Sequence, residues 1–209
     1  MKHRTYLIFG PPGAGKATHA HTLGSVPRFY HISRADVFRS LETRTPVGQA
    51  YLEHASRGAF VPDEVTVELW LARIDAEVNA HTFKPDLDAL VLDAIPQNVN
   101  QARLLEEHFD VAMVFFLDVP DRVTLAARVR DRALHENRFD DANEAAIQRR
   151  LAAFDAESRP LLEYYPRDII RRVDATNSAA VVMHDLLREI VAAGESSDYV
   201  QLRHLEEVR

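Results

Sequence analysis

Five apolar runs punctuate an otherwise mixed chain, at 5–9, 29–32, 89–92, 111–117 and 169–173. Longer stretches with helix-compatible spacing separate them, and strands alternating with helices predict a mainly parallel α/β sheet. The runs at 89–92 and 111–117 read Ala-Leu-Val-Leu and Val-Ala-Met-Val-Phe-Phe-Leu. Strands apolar at every position are expected to be covered on both faces. Functional residues in such a sheet gather at the strand C-termini. Between the second and third runs, Pro62-Asp63-Glu64 predicts a helix start, with proline in the first turn and acids at the positive end of the dipole. Val65, Leu69, Ala72 and Ala76 predict its buried stripe. An insertion of several helices is long for one crossover and predicts a substrate-holding subdomain.

A chain of 209 residues, 46% apolar and 27% charged, suits one domain, expected over 1–193, with a polar tail at 194–209. The net charge of -7 argues against general binding to nucleic acid or to anionic membranes, so a basic site must be a local cluster built by the fold. No apolar stretch has membrane-spanning length, and the N-terminus runs into a strand rather than a secretory leader, so a cytoplasmic location is expected. The absence of cysteine excludes disulfides and thiolate zinc sites. The ten histidines are dispersed, with no pair four apart on a helix, which favours satisfied or solvated histidines over metal ligands.

The candidate chemistry starts at Gly10-Pro11-Pro12-Gly13-Ala14-Gly15-Lys16-Ala17-Thr18, directly after the first apolar run. Three of the chain's seven glycines fall here. Such a loop curls so that successive N–H groups converge on an anion at a helix N-terminus, and Lys16 adds a movable cation for the β and γ phosphates. Binding of a nucleoside triphosphate is expected. The usual pattern has Ser or Thr straight after the lysine; here Ala17 intervenes and the hydroxyl is at Thr18. Asp93, at the end of the third run, is placed to reach a magnesium ion held on the triphosphate, or alternatively to cap a helix. Arg128 and Arg132 share a helix face, and Arg138 and the Arg149-Arg150 pair follow. Five guanidinium groups in one region predict a clamp on a transferring phosphoryl group; the plainer reading is a solvated face paired with the acids nearby.

These motifs, together with His31-Ile32-Ser33-Arg34-Ala35-Asp36, Arg39, Val61-Pro62-Asp63-Glu64, Asp93-Ala94-Ile95-Pro96-Gln97, Gln101-Ala102, Leu117-Asp118-Val119-Pro120 and Pro160-Leu161-Leu162-Glu163-Tyr164-Tyr165, resemble the adenylate kinase family of nucleoside monophosphate kinases. Lysine, small residue, threonine is that family's own form of the loop. The resemblance implies a P-loop kinase three-layer sandwich, a five-stranded parallel sheet flanked by helices. It further implies a helical acceptor-binding segment at about 33–75 and a short lid at about 131–141. The implied reaction moves the γ-phosphoryl of MgATP to a nucleoside monophosphate, expected to be AMP-like. By position, Gly10, Pro11, Gly13, Ala14, Gly15, Lys16, Ala17, Thr18 and Arg128 serve ATP. Thr18 and Asp93 serve Mg2+, and Lys16, Arg132, Arg138 and Arg150 the transferring group. Spacing to the downstream Pro-Leu-Leu motif selects Arg150, whereas counting from Arg138 selects Arg149. Arg34, Arg39, Ala94, Gln97 and Gln101 line the acceptor side, Gln101 matching the glutamine that reads an adenine edge. A monomer without nucleic-acid or membrane partners is expected.

The acceptor motifs depart from the family pattern. Where the family reads Thr-Gly-Asp this chain has Arg34-Ala35-Asp36, and where it reads Asp-Gly-Phe-Pro-Arg this chain has Asp93-Ala94-Ile95-Pro96-Gln97. Gln97 removes a cation that would grip the acceptor phosphate, and Arg34 is a candidate for replacing it. Alanine stands for glycine at 17, 35, 94 and 175, which requires α or β backbone there. Two alternatives stay open: a P-loop kinase of another small-molecule acceptor, and a nucleotide-binding sensor with weakened catalysis.

Overall fold

The structure, a computed structural model, describes residues 2–39, 41–56, 61–135 and 143–195. The five runs form five parallel strands: β1 His3–Phe9, β2 Phe29–His31, β3 Ala89–Leu92, β4 Phe109–Asp118 and β5 Ile170–Asp174. Their order in the sheet is β2-β3-β1-β4-β5. β4 begins two residues before the apolar run that predicted it, because Phe109 and Asp110 pair in register with His3 and Arg4. Backbone pairing extends a strand past its apolar core.

Both faces of the sheet are covered, as the continuous apolar runs required. Tyr6 and Ile8 point into one core with Phe115 and Leu117, and Leu7 and Phe9 point into the other with Val114 and Phe116. This alternation is the period-two geometry of a strand. The first core is closed by helices α1 (Lys16–Gly24), α6 (Arg122–His135), α7 (Glu144–Ala153) and α9 (Ala179–Ile190). The second is closed by α4 (Asp63–Asn79), α5 (Val99–Leu105) and α8 (Leu161–Tyr164). The result is three layers, helices on sheet on helices.

Between β2 and β3 the described residues form three helices, α2 (Arg34–Arg39), α3 (Pro46–Ser56) and α4. Ser33 opens α2 with a reciprocal pair: Asp36 N–H donates to Ser33 Oγ, while Ser33 N–H donates to the Asp36 carboxylate. α4 corrects two expectations. Pro62 is the residue preceding the helix rather than part of its first turn. The buried face is Val67, Leu69, Trp70, Ile74 and Glu77, whereas Ala72 and Ala76 are exposed. Orientation follows the larger apolar area of Trp70 and Ile74, which outweighs that of two alanines. Glu77 tolerates burial because it accepts from Tyr30 Oη at 2.7 Å and from Thr82 Oγ1, and pairs with Arg73. That network ties β2 to α4.

The predicted lid at 131–141 is described only to His135, where α6 ends, and Arg138 lies outside the described residues. The same holds for the tail from residue 196 onward.

Candidate active site

The loop after β1 has the conformation that its glycines permit. Gly10, Gly13 and Gly15 have φ of 151°, 88° and 90°. Gly13 has a second constraint, since a Cβ there would stand 2.7 Å from the Leu125 carbonyl oxygen. Ala17, Ala35, Ala94 and Ala175 all avoid positive φ, as alanine there requires. α1 starts at Lys16 with no side-chain cap and no acid in its first turn. Its leading N–H groups and its dipole therefore carry uncompensated positive character, suited to an anion.

Lys16 folds back over this loop, with Nζ donating to the carbonyls of Gly10 at 2.7 Å and Pro11 at 3.1 Å. Burial brings its pKa down from the ordinary 10.5 to about 8; Asp93 acts in the opposite sense, and Arg150 and Arg132 lower it further. One electrostatic cluster thus joins the end of β1, the end of β3, α6 and α7. Sheet order is the cause, since β3 lies beside β1 with Leu7 opposite Leu92, one residue before Asp93. Arg150 rather than Arg149 is the member of that pair whose charge reaches Lys16.

Of the five arginines expected to converge, Arg132 and Arg150 are exposed and their charges act on Lys16. Arg128 stands elsewhere, its Nη1 donating to the Ala175 carbonyl at 2.9 Å beyond the end of β5. Among the described residues, acids take two other arginines of α6: Arg130 pairs with Glu144 at 2.5 Å, and Arg122 with Asp155.

Asp93 has a partner that sequence reading missed. His31 Nε2 lies 3.2 Å from Asp93 Oδ1, and both side chains are only 9% exposed. His31 pairs in register with Val91, two residues before Asp93, so the two side chains share a face of the sheet. The signal was the position of His31 at a strand end, legible only once β2 is known to neighbour β3. Thr18 is exposed in the first turn of α1.

On the acceptor side, Gln97 is exposed and its Nε2 donates to the Ala94 carbonyl at 3.1 Å. The Gln97 carbonyl accepts from Ser158 Oγ at 2.7 Å, just past α7, which links the loop after β3 to the chain that carries Arg150. Arg34 lies over the Phe38 ring at 5.1 Å, and Phe38 in turn packs on Tyr51 with ring centroids 5.0 Å apart. Among the described interactions Arg34 thus engages its own helix rather than Gln97. Arg39 ends α2, and its side chain lies outside the described residues. Gln101 is 2% exposed, and both ends of its amide are engaged: Oε1 accepts from Gln97 N–H at 2.8 Å, and Nε2 donates to Asp63 Oδ1 at 2.7 Å.

Sequence comparison decides the lineage of this site: a sequence model of adenylate kinase matches residues 8–170. The chain belongs to the adenylate kinase family. Adenylate kinases of Leptospira biflexa, Corynebacterium urealyticum and Cyanothece sp. are 32%, 34% and 36% identical to it over 192, 173 and 166 residues. Those alignments cover 88%, 82% and 76% of this chain, and 98%, 91% and 80% of the respective relatives. This member of the family is an ATP-dependent nucleoside monophosphate kinase. No helix among the described residues is long and apolar enough to cross a membrane.

Proposed function

We propose that this kinase transfers the γ-phosphoryl group of MgATP to AMP, giving two molecules of ADP. The observation that carries the reading is the cluster at Lys16, in which two guanidinium groups and one carboxylate act on one flexible cation at the mouth of a curled amide loop. In the transfer, an AMP phosphate oxygen forms a bond to the γ-phosphorus while the bond from that phosphorus to the β,γ-bridging oxygen breaks. No protein nucleophile is needed; alignment and charge neutralisation supply the rate. The loop amides and Lys16 hold the β and γ oxygens, and Arg132 and Arg150 neutralise the charge of the moving group, joined by Arg138. Arg128 serves the donor end from beside Ala175.

Magnesium fits this donor set. Asp93 and Thr18 offer hard oxygen ligands beside the loop. Among the described residues no three His, Asp or Glu side chains cluster to hold a metal by themselves, and Asp93 and Thr18 would hold the cation together with the nucleotide. When bound, it neutralises and aligns the phosphates.

On the acceptor side we assign Arg39 and Arg34 to the phosphate, Ala94 to the wall against the base, and Gln101 to its edge. Gln97 supplies an N–H without charge, and its present partner is the Ala94 carbonyl. This favours one second reading, a nucleoside monophosphate other than AMP. A coupled assay of ADP formation with ATP plus AMP, CMP, UMP or dAMP separates the two. Fastest turnover with AMP supports the proposal, and ATP binding without turnover of any monophosphate overturns it.

A further inference from the structure

Asp63 lies in the first turn of α4 and is joined to the start of α5 by three amides. Asn98 Nδ2 donates to its two oxygens at 3.0 and 3.2 Å, Asn100 Nδ2 donates at 2.9 Å, and Gln101 Nε2 donates at 2.7 Å. Burial opposes the charge of Asp63, but the amides of Asn100, Asn98 and Gln101 outweigh it and hold the pKa below the usual aspartate value. Asp63 is therefore an ionised acceptor with no proton to donate. The opposite end of the Gln101 amide faces a group with the reverse property, the Gln97 N–H, which can only donate. The Gln101 backbone is fixed as well, its N–H donating to Asn98 Oδ1 at 2.8 Å, the cap of α5.

A primary amide has two N–H donors and two acceptor lone pairs. Among the described residues, one of each is taken and one of each is left. Rotating the amide by half a turn would set its NH2 against the Gln97 N–H and its oxygen against a carboxylate. Both contacts would become repulsive, at a Gln101 side chain that is itself buried.

We propose that Asp63 is a positioning residue for acceptor selection: together with the Gln97 N–H it locks the Gln101 amide in one orientation, so that the amide reads only one of two base edges. An amino group beside an unprotonated ring nitrogen needs an acceptor and then a donor opposite it. A carbonyl beside a ring N–H needs the reverse order. A freely turning amide serves both, and a locked one serves a single edge, the amino edge if the acceptor is AMP. This rests on the assignment of Gln101 to the base edge given above.

The test compares kcat/KM for AMP and for IMP, which differ at that edge alone, in the wild-type chain and in Asp63→Asn, Asp63→Ala and Gln101→Met. The ratio of the two values cancels any loss of folded enzyme. The expected result is an AMP-over-IMP preference that falls about tenfold in the Asp63 variants, with Asp63→Asn less affected, and at least as far in Gln101→Met. A ratio within twofold of wild type in both Asp63 variants, with Gln101→Met collapsing it, overturns the lock and leaves the base-edge role intact. A ratio unchanged in all three variants overturns the base-edge role and the lock with it.

Discussion

Nucleotide binding above neutral pH should draw a proton into the site through Lys16. A pKa brought from the ordinary 10.5 to about 8 means that the neighbourhood disfavours the ammonium by roughly 3 kcal/mol before any phosphate is present. With that value about nine-tenths of Lys16 is charged at pH 7 and about one-tenth at pH 9. A triphosphate beside Nζ reverses the balance, since its negative charge favours the cation. Binding at pH 9 should then take up about 0.9 proton, and apparent ATP affinity should weaken about tenfold between pH 7 and pH 9. The terminal phosphate of ATP, titrating near pH 6 or slightly above, adds little at pH 9. Titration calorimetry in two buffers of different ionisation enthalpy counts the protons directly. The same group affects folding: because the folded-state value lies below the unfolded one, the folded chain binds fewer protons between pH 8 and 10.5, and its contribution to stability rises with pH across that window. Proton uptake that is the same at pH 7 and pH 9, or that persists in Lys16→Met, would refute the reasoning.

Three other outcomes follow from the geometry. Arg150→Ala should lower kcat by about a hundredfold or more, whereas Arg149→Ala should stay within about threefold, as measured by coupled ADP assay. Gly13→Ala must place a Cβ 2.7 Å from the Leu125 carbonyl at φ 88°, so it should lose at least about 1–2 kcal/mol of stability in a urea unfolding curve; an unshifted midpoint would contradict the strain. Gln97→Arg should leave ATP affinity unchanged and lower KM for AMP severalfold by restoring a charge-assisted bond, and no change in KM would show that the loop after β3 does not face the acceptor phosphate.

What the sequence made legible is what local chemistry decides. The loop at 10–18 could be read because positive φ at three successive glycines is a property of those residues alone. The strands could be read because burial on both faces leaves an unbroken apolar run. The stripe on α4 was misassigned because spacing alone does not weigh Trp70 against Ala72, and a helix turns its larger apolar surface inward. His31 with Asp93, and Asp63 with Gln101, are separated by 62 and 38 residues. They meet only through the strand order and the return of α4 to α5, neither of which is encoded in any single motif. Spacing to the downstream Pro-Leu-Leu motif already selected Arg150 over Arg149, and Arg150 is the one whose charge acts on Lys16; one residue of helix turns a side chain by about 100°.

Phosphorus NMR of the purified chain with MgATP and AMP tests most directly whether this cluster performs phosphoryl transfer. If Lys16 and the arginines act as described, AMP and γ-phosphate signals decline together while ADP accumulates at two molecules per ATP consumed, and Arg150→Met suppresses the growth without abolishing ATP binding. Free phosphate in place of ADP, or an Arg150→Met time course that matches the wild type, would contradict it.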